Sequence, residues 1–138
     1  MEKKKIKSIV FTLTGAIVGY LLVNQFLFNK SFDEKMMEIA SEFNKHCPIM
    51  VDKETRIDNA VALPENTFQY NYTLINLVRS EIDTSLFSAS IKQNILNTIK
   101  TNPDLKPFRD NNAKMAYNYK DKNGIFIYKF VFGPKDYK

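Results

Sequence analysis

The densest set of reactive side-chain types in the sequence is Asp52, Thr55, Arg56 and Asp58, gathered near a predicted strand start. An Arg flanked by carboxylates can grip an anionic group through its planar fork, or it can be paired internally as a surface or turn-stabilising network. Both uses draw on the same atoms, so the four residues stand as the candidate ligand- or partner-binding set. Nucleophilic catalysis is poorly provided for. The chain has one His, His46, directly before its one Cys, Cys47, and neighbours on a helix point about 100° apart, which works against a Cys-His pair. A lone Cys more often packs inside a fold, and it allows no intramolecular disulfide. No catalytic residue is assigned.

Metal and nucleotide chemistry find little support either. A zinc site needs several His or Cys ligands, and these two are all there are. The stretch from Asp52 to Asp58 lacks the alternating oxygen ligands and the Gly of a calcium loop, and a chain with four Gly has no glycine-rich phosphate loop. No metal and no cofactor are expected.

The elements that must hold the set follow from periodicity. Ser31 and Glu34 fit a capping box, and Phe32, Met36, Ile39, Ala40 and Phe43 recur at helical spacing, which predicts a helix from Phe32 to His46 that stops at Pro48. Thr55 to Leu63 and Phe68 to Leu74 alternate on either side of Pro64-Glu65-Asn66 and read as a β-hairpin. Placing Ile57, Val61 and Leu63 on one face with Phe68, Tyr70, Tyr72 and Leu74 requires a loop from Pro64 to Thr67, and it turns Arg56 and Asp58 to the other face, away from Tyr72. Asp83 can cap a second helix, Thr84 to Lys100, with the stripe Phe87, Ile91, Ile95 and Ile99 and with Leu96 at its flank. Asn102 and Pro103 end it, and a turn-rich connection leads to the last hairpin.

That hairpin turns at Asn123-Gly124, with Lys122 opposite Ile125 and with Met115, Tyr117 and Tyr119 beside Phe132, Phe130 and Tyr128. The order helix, hairpin, helix, hairpin predicts an α+β domain, 31–138, with a four-stranded antiparallel sheet and helices over its aromatic face. Eleven Phe and seven Tyr, with no Trp, supply the buried area that a small domain needs. The tyrosines alternate with polar residues as core residues do, although the same rings could stack on sugars or peptides. Tyr70-Asn71-Tyr72 recurs as Tyr117-Asn118-Tyr119.

Residues 1–30 read as a basic tip and a single-pass transmembrane anchor. Ile6 to Phe28 is 23 residues, enough at a helical rise of about 1.5 Å to cross a hydrocarbon core of about 30 Å. A cleaved secretory signal shares the basic start and apolar run but needs small residues after it, and here the run is followed by Asn24-Gln25-Phe26-Leu27-Phe28. The reading adopted is an uncleaved signal anchor in the cytoplasmic (inner) membrane. Lys3, Lys4, Lys5 and Lys7 keep the N-terminus cytoplasmic and put the domain on the outer, periplasmic side of the bacterial envelope. Gly15 and Gly19 form a GxxxG, the spacing of a membrane-helix contact, though Gly is also common in such helices.

The net charge of +5 divides unevenly. The tip carries +3 of it, and the 16 basic and 14 acidic residues from Asn29 onward leave only +2. An almost balanced domain gives no reason to expect nucleic acid as a partner.

Cys47-Pro48-Ile49-Met50-Val51-Asp52 with Thr55-Arg56-Ile57-Asp58, then Phe68 to Leu74, then Tyr117-Asn118-Tyr119 with Asp121-Lys122-Asn123-Gly124, resembles a family of uncharacterised small α+β bacterial proteins that are membrane-anchored or exported. The likeness spans most of the domain but not the anchor. It implies a fold and a compartment and no named activity. Members of that family carry a Cys after the second helix and another near the C-terminus, which implies a disulfide there. This chain has Thr101 and Asn102 at the first place and Tyr137 at the second, so the implied bond is absent.

Taken together, the sequence predicts a membrane-tethered extracytoplasmic interaction module, integral to the membrane and partnered by an envelope protein or by itself. The alternative is a small-ligand-binding domain, or an enzyme using Asp52, Thr55, Arg56 and Asp58 with a tyrosine.

Overall fold

The first helix begins where its cap requires. In the computed structural model, which describes residues 30–138, the Glu34 N–H donates to Ser31 Oγ and the Ser31 N–H donates to the Glu34 carboxylate. From there α1 runs Phe32–Asn44 and buries Met36, Ile39, Ala40 and Phe43, residues three and four apart on one stripe. The longer α2, Thr84–Thr101, starts on Asp83, whose carboxylate accepts from the Ser85 and Leu86 N–H groups, and it buries Phe87, Ile91, Ile95 and Ile99.

The strands are β1 (Ile49–Met50), β2 (Thr55–Leu63), β3 (Thr67–Leu74), β4 (Lys114–Asp121) and β5 (Phe126–Phe132). They form one five-stranded sheet in which spatial order follows chain order. The predicted four-stranded antiparallel sheet is corrected in two ways. First, β1 pairs with β2 through Ile49 opposite Ile57 and Met50 opposite Arg56, a strand too short to show alternation in the sequence. Second, β3 and β4 run parallel, with Tyr70, Asn71 and Tyr72 directly beside Tyr117, Asn118 and Tyr119. Parallel neighbours need a long crossover, and α2 lies in that connection.

The first hairpin slips by one residue from its expected register. Leu63 pairs with Thr67, and Ala60 rather than Val61 lies opposite Tyr70. The cause is a bulge between Ile57 and Asn59, which inserts Asp58 and reverses the alternation beyond it. Ile57 and Ala60 are therefore buried, whereas Val61 and Leu63 are partly exposed. The second hairpin keeps the expected pairs from Met115–Phe132 to Tyr119–Tyr128 and then shifts, so that Lys120 lies opposite Phe126. Gly124 has φ +82° while Asn123 is not among the positive-φ residues, so the two-residue turn that needs both residues left-handed does not form. Asp121 takes over the turn: its Oδ1 accepts from the Asn123 and Ile125 N–H groups.

Two short helices complete the chain, α3 (Lys106–Asp110) and α4 (Pro134–Tyr137). The Tyr137 hydroxyl donates to Ala113 O at 2.7 Å. α1, α2 and α3 all meet the same aromatic face of the sheet. Phe43 stands edge-on to Tyr70 (5.8 Å), Phe87 edge-on to Tyr119 (5.2 Å), and Phe108 lies 5.0 Å from Phe68. The opposite face carries Arg56, Asp58, Asn59, Gln69, Asn71, Thr73, Asn118, Lys120, Lys129 and Val131, most of them partly or fully exposed.

No helix among the described residues is long and apolar enough to cross a membrane. The expected transmembrane anchor, with Gly15 and Gly19, lies outside the described residues. For the described residues the predicted fold class is corrected to an α+β fold with a five-stranded mixed sheet and no membrane-spanning helix. The anchor rests on hydropathy, on the Lys3–Lys7 cluster and on the lack of small residues after the apolar run, and a basic start with an apolar run is also the make-up of other N-terminal segments.

A candidate site on the polar face of the sheet

The four residues singled out in the sequence separate in space. Thr55 and Ile57 are fully buried, so strand alternation sends Arg56 to the other face, where the bulge also leaves Asp58. Arg56 Nε donates to Asp58 Oδ1 at 2.6 Å, Thr73 Oγ1 donates to Asp58 Oδ2 at 2.5 Å, and Lys120 Nζ lies 3.6 Å from the same oxygen. One carboxylate thus ties together β2, β3 and β4. Its side chain is 13% exposed against 39% and 40% for Arg56 and Lys120, an arrangement that shields the anion and leaves the cations reachable.

Asp52 and Thr55 serve elsewhere. Asp52 Oδ1 accepts from the Glu54 and Thr55 N–H groups at 2.7 and 2.8 Å, which fixes the turn into β2. Its other oxygen and the Thr55 hydroxyl are buried with no hydrogen-bond partner among the described residues. Burial pushes the Tyr119 hydroxyl well above its ordinary pKa, and Tyr117 and the Asp52 charge add to it.

Next to the Asp58 cluster runs a row of amides. Asn71 Nδ2 donates to Asn59 Oδ1 at 2.6 Å, Asn118 Nδ2 donates to Asn71 Oδ1 at 3.2 Å, and Gln69 Nε2 donates to the same oxygen at 2.9 Å. Thr73, Lys120 and the three asparagines were not singled out from the sequence. They come from three strands, and their one sequence signal is the repeated Tyr-Asn-Tyr, whose meaning is the in-register pairing of β3 with β4.

The tyrosines form the core beneath. Tyr70, Tyr72, Tyr117 and Tyr119 are each 1% exposed or less, and Tyr72 and Tyr119 stack at 4.8 Å and 12°. Burial raises the pKa of all four, so they stay neutral. Stacking on a sugar or peptide is closed to them. Tyr72 points away from Arg56 and Asp58, as the sequence register implied, and therefore cannot join a site with them.

The remaining reactive groups are engaged or quiet. The Cys47 thiol donates to Phe43 O at 3.6 Å, and burial, with the charge of Asp58 adding to it, pushes its pKa up to about 11. A thiol so protonated is a weak nucleophile at neutral pH. Asp121, fully buried, accepts from the Arg79, Asn123 and Ile125 N–H groups. Burial alone would raise its pKa, but the three N–H donors and Lys122 together bring it below the ordinary value. Among the described residues, no group of three or more His, Cys, Asp or Glu side chains converges.

Comparison with known proteins places the fold. A candidate secreted protein of Pseudomonas aeruginosa superposes with a TM-score of 0.62 at 11% identity, covering 80% of this chain and all of the other. The type II secretion system pilotin AspS of Vibrio cholerae gives 0.57 at 12% identity, covering 85% and 95%. The type 2 secretion system pilotin EpsS of Vibrio vulnificus gives 0.53 at 10% identity, covering 87% and 97%. At such identities the likeness is one of fold. No curated protein matches the sequence. These structural relatives are a candidate secreted protein and two secretion-system pilotins, and no described helix can span a bilayer. The expected membrane-tethered module, its integral single-pass membrane contact and its inner-membrane location are corrected on those grounds, as is the resemblance to a family of membrane-anchored or exported proteins. The family itself comes from the sequence: residues 31–126, well over half of the chain, match the model for a domain of unknown function (DUF8479), and the chain belongs to that family.

Proposed function

We propose that this chain is an extracytoplasmic binding domain without catalytic activity, and that it engages another protein through the polar face of its sheet. The observation that carries this reading is the arrangement of that face. The Asn59-Asn71-Asn118 row and the Arg56-Asp58-Thr73-Lys120 cluster present donors, acceptors and charges already fixed by one another. Fixed side chains lose less freedom when a partner binds, and mixed charges select register and partner more than they add raw affinity. The compartment is supported by the structural relatives, a candidate secreted protein and pilotins of secretion systems.

A ligand-binding or catalytic site built on Asp52, Thr55, Arg56 and Asp58 with a tyrosine is less favoured. Both oxygens of Asp58 are already engaged, and Asp52 and Thr55 are turned away from Arg56.

Site-specific photo-crosslinking in living cells tests the proposal. A photoreactive residue at Val61, paired with Gln69 on the polar face, should give a discrete crosslinked product, and one at Gln93, exposed on α2, should not. Equal products from both positions, or none from Val61, would refute the use of this face.

A further inference from the structure

The two outer strands of the sheet are finished differently. On the β2 side, β1 covers Arg56 and Ile57, and past it a side chain stands in for a strand. Asn44 Nδ2 donates to Ala60 O at 2.8 Å, and the Ala60 N–H donates to Asn44 Oδ1 at 2.7 Å. On the far side, β5 has β4 as its one strand neighbour among the described residues.

The hydrogen-bond pattern fixes which β5 groups point outward. Lys114 N donates to Asn66 O at 2.8 Å, so the even-numbered residues of β4 bond to β3 while Met115, Tyr117 and Tyr119 bond to Phe132, Phe130 and Tyr128. The main-chain N–H and C=O of Lys129 and Val131 therefore face away from the sheet. Both residues are exposed, Val131 at 51%. Along this edge, between β5 and α2, lies a groove of about 150 Å³ lined by Lys92, Tyr128, Lys129, Phe130, Val131 and Phe132. β5 has seven residues and contains no proline, and its bulge at Ile127 lies toward its start, so at Lys129 and Val131 the protection of the edge is the charge of Lys129.

That charge argues for one kind of occupant. A second copy pairing antiparallel about Lys129 would set the two ammonium groups directly opposite each other, which is destabilising, whereas a carboxylate in that place is favourable. Lys92 at the groove adds a second cation of the same preference.

We propose that β5 is a strand-addition site, where an extended segment of another protein pairs with the outer edge at Lys129 and Val131 and sets a carboxylate side chain opposite Lys129. Main-chain hydrogen bonds supply the affinity, and the alternate side chains of the segment, reaching the groove beside Lys92 and Phe130, supply the selectivity. The site is separate from the polar face around Asp58 and stands or falls apart from it.

The probe is a blocked synthetic peptide of alternating Val and Thr around a central Glu, titrated into the full chain and followed by NMR, with a central-Lys peptide as its counterpart. The expected result has four parts. The Glu peptide binds at least about tenfold more tightly than the Lys peptide. The Lys129 and Val131 amides gain exchange protection. Lys129→Glu reverses the preference. Val131→Pro, which removes an outward N–H and no bond to β4, weakens binding by at least about tenfold. If Val131→Pro does not fold, the charge reversal and the amide mapping still decide. Equal binding of the two peptides, shifts centred on Asn59 and Asn71, or no binding at millimolar peptide would each overturn the proposal. So would a dimer that Val131→Pro dissolves, since it would assign the edge to a second copy.

Discussion

On one face of the β3–β4 pair, Tyr70, Tyr72, Tyr117 and Tyr119 are shut away from solvent. On the other, Asn71 and Asn118 stay partly exposed and hold each other through their amides. Both faces come from one tripeptide used twice and set side by side in register. The tyrosine face joins the sheet to three helices, and its worth is area, about 1.5–3 kcal/mol for each large apolar side chain fully buried. The asparagine face joins strand to strand through hydrogen bonds worth about 0.5–1.5 kcal/mol each. Stability therefore resides mainly in one surface, which leaves the other freer to change.

Substitutions can break or sharpen this contrast. Tyr72→Ala, at the centre of the ring stack, should lower unfolding stability by about 3–5 kcal/mol in a denaturant titration. A loss of about 1 kcal/mol would place the aromatic face on the same footing as the amides. Asn71→Ala removes the residue that bonds Asn59, Gln69 and Asn118 and should cost about 1 kcal/mol by the same measurement. A cost as large as that of Tyr72→Ala would make the polar face the structural one.

A smaller effect is expected from Tyr70→Phe. The Tyr70 hydroxyl is buried without a hydrogen-bond partner among the described residues, so its removal should change stability by less than about 1 kcal/mol, in the stabilising direction if at all. A clear loss would show that the hydroxyl is engaged. The last test leaves stability aside and reads Cys47, whose thiol is pushed from 9.0 to about 11 by burial and then by Asp58. Its alkylation at pH 8 should run about 100-fold slower than that of a free thiol, and Asp58→Asn should recover a minor part of the rate. Full recovery would mean that charge on the polar face, rather than burial, protects the thiol.

Much of this fold is legible in the residues. Ser31 with Glu34 and Asp83 mark both long helices, because caps are chemistry local to one turn, and the stripes of α1 and α2 follow from spacing alone. The strands are less legible. Val61 and Leu63 look more like core residues than Ala60, but the bulge at Asp58 changes the phase, and no count of apolar residues reveals a bulge. The sequence shows that the chain turns near Asn123-Gly124 but not how, since the Asp121 carboxylate captures the N–H groups around it and Asp121, not Lys122, meets Ile125. Of the candidate site, Arg56 and Asp58 face the same way as expected and pair. Thr73 and Lys120 join them through β3–β4 pairing across a long crossover, a non-local fact. Hydropathy, the basic tip and the missing cleavage residues do not together separate a membrane anchor from other apolar N-terminal segments.

The doubled tripeptide has a consequence for how the chain finds its shape. If β4 slid along β3 by two residues, every side chain would keep its face, and a tyrosine would still meet a tyrosine: Tyr72 beside Tyr117 in one direction, Tyr70 beside Tyr119 in the other. Ring packing alone is nearly blind to that error. Asn71, however, would then meet Ala116 or Lys120 in place of Asn118, and the row of amides would be cut. The weaker face is thus the one that keeps count, and it selects one alignment among three that the stronger face would accept.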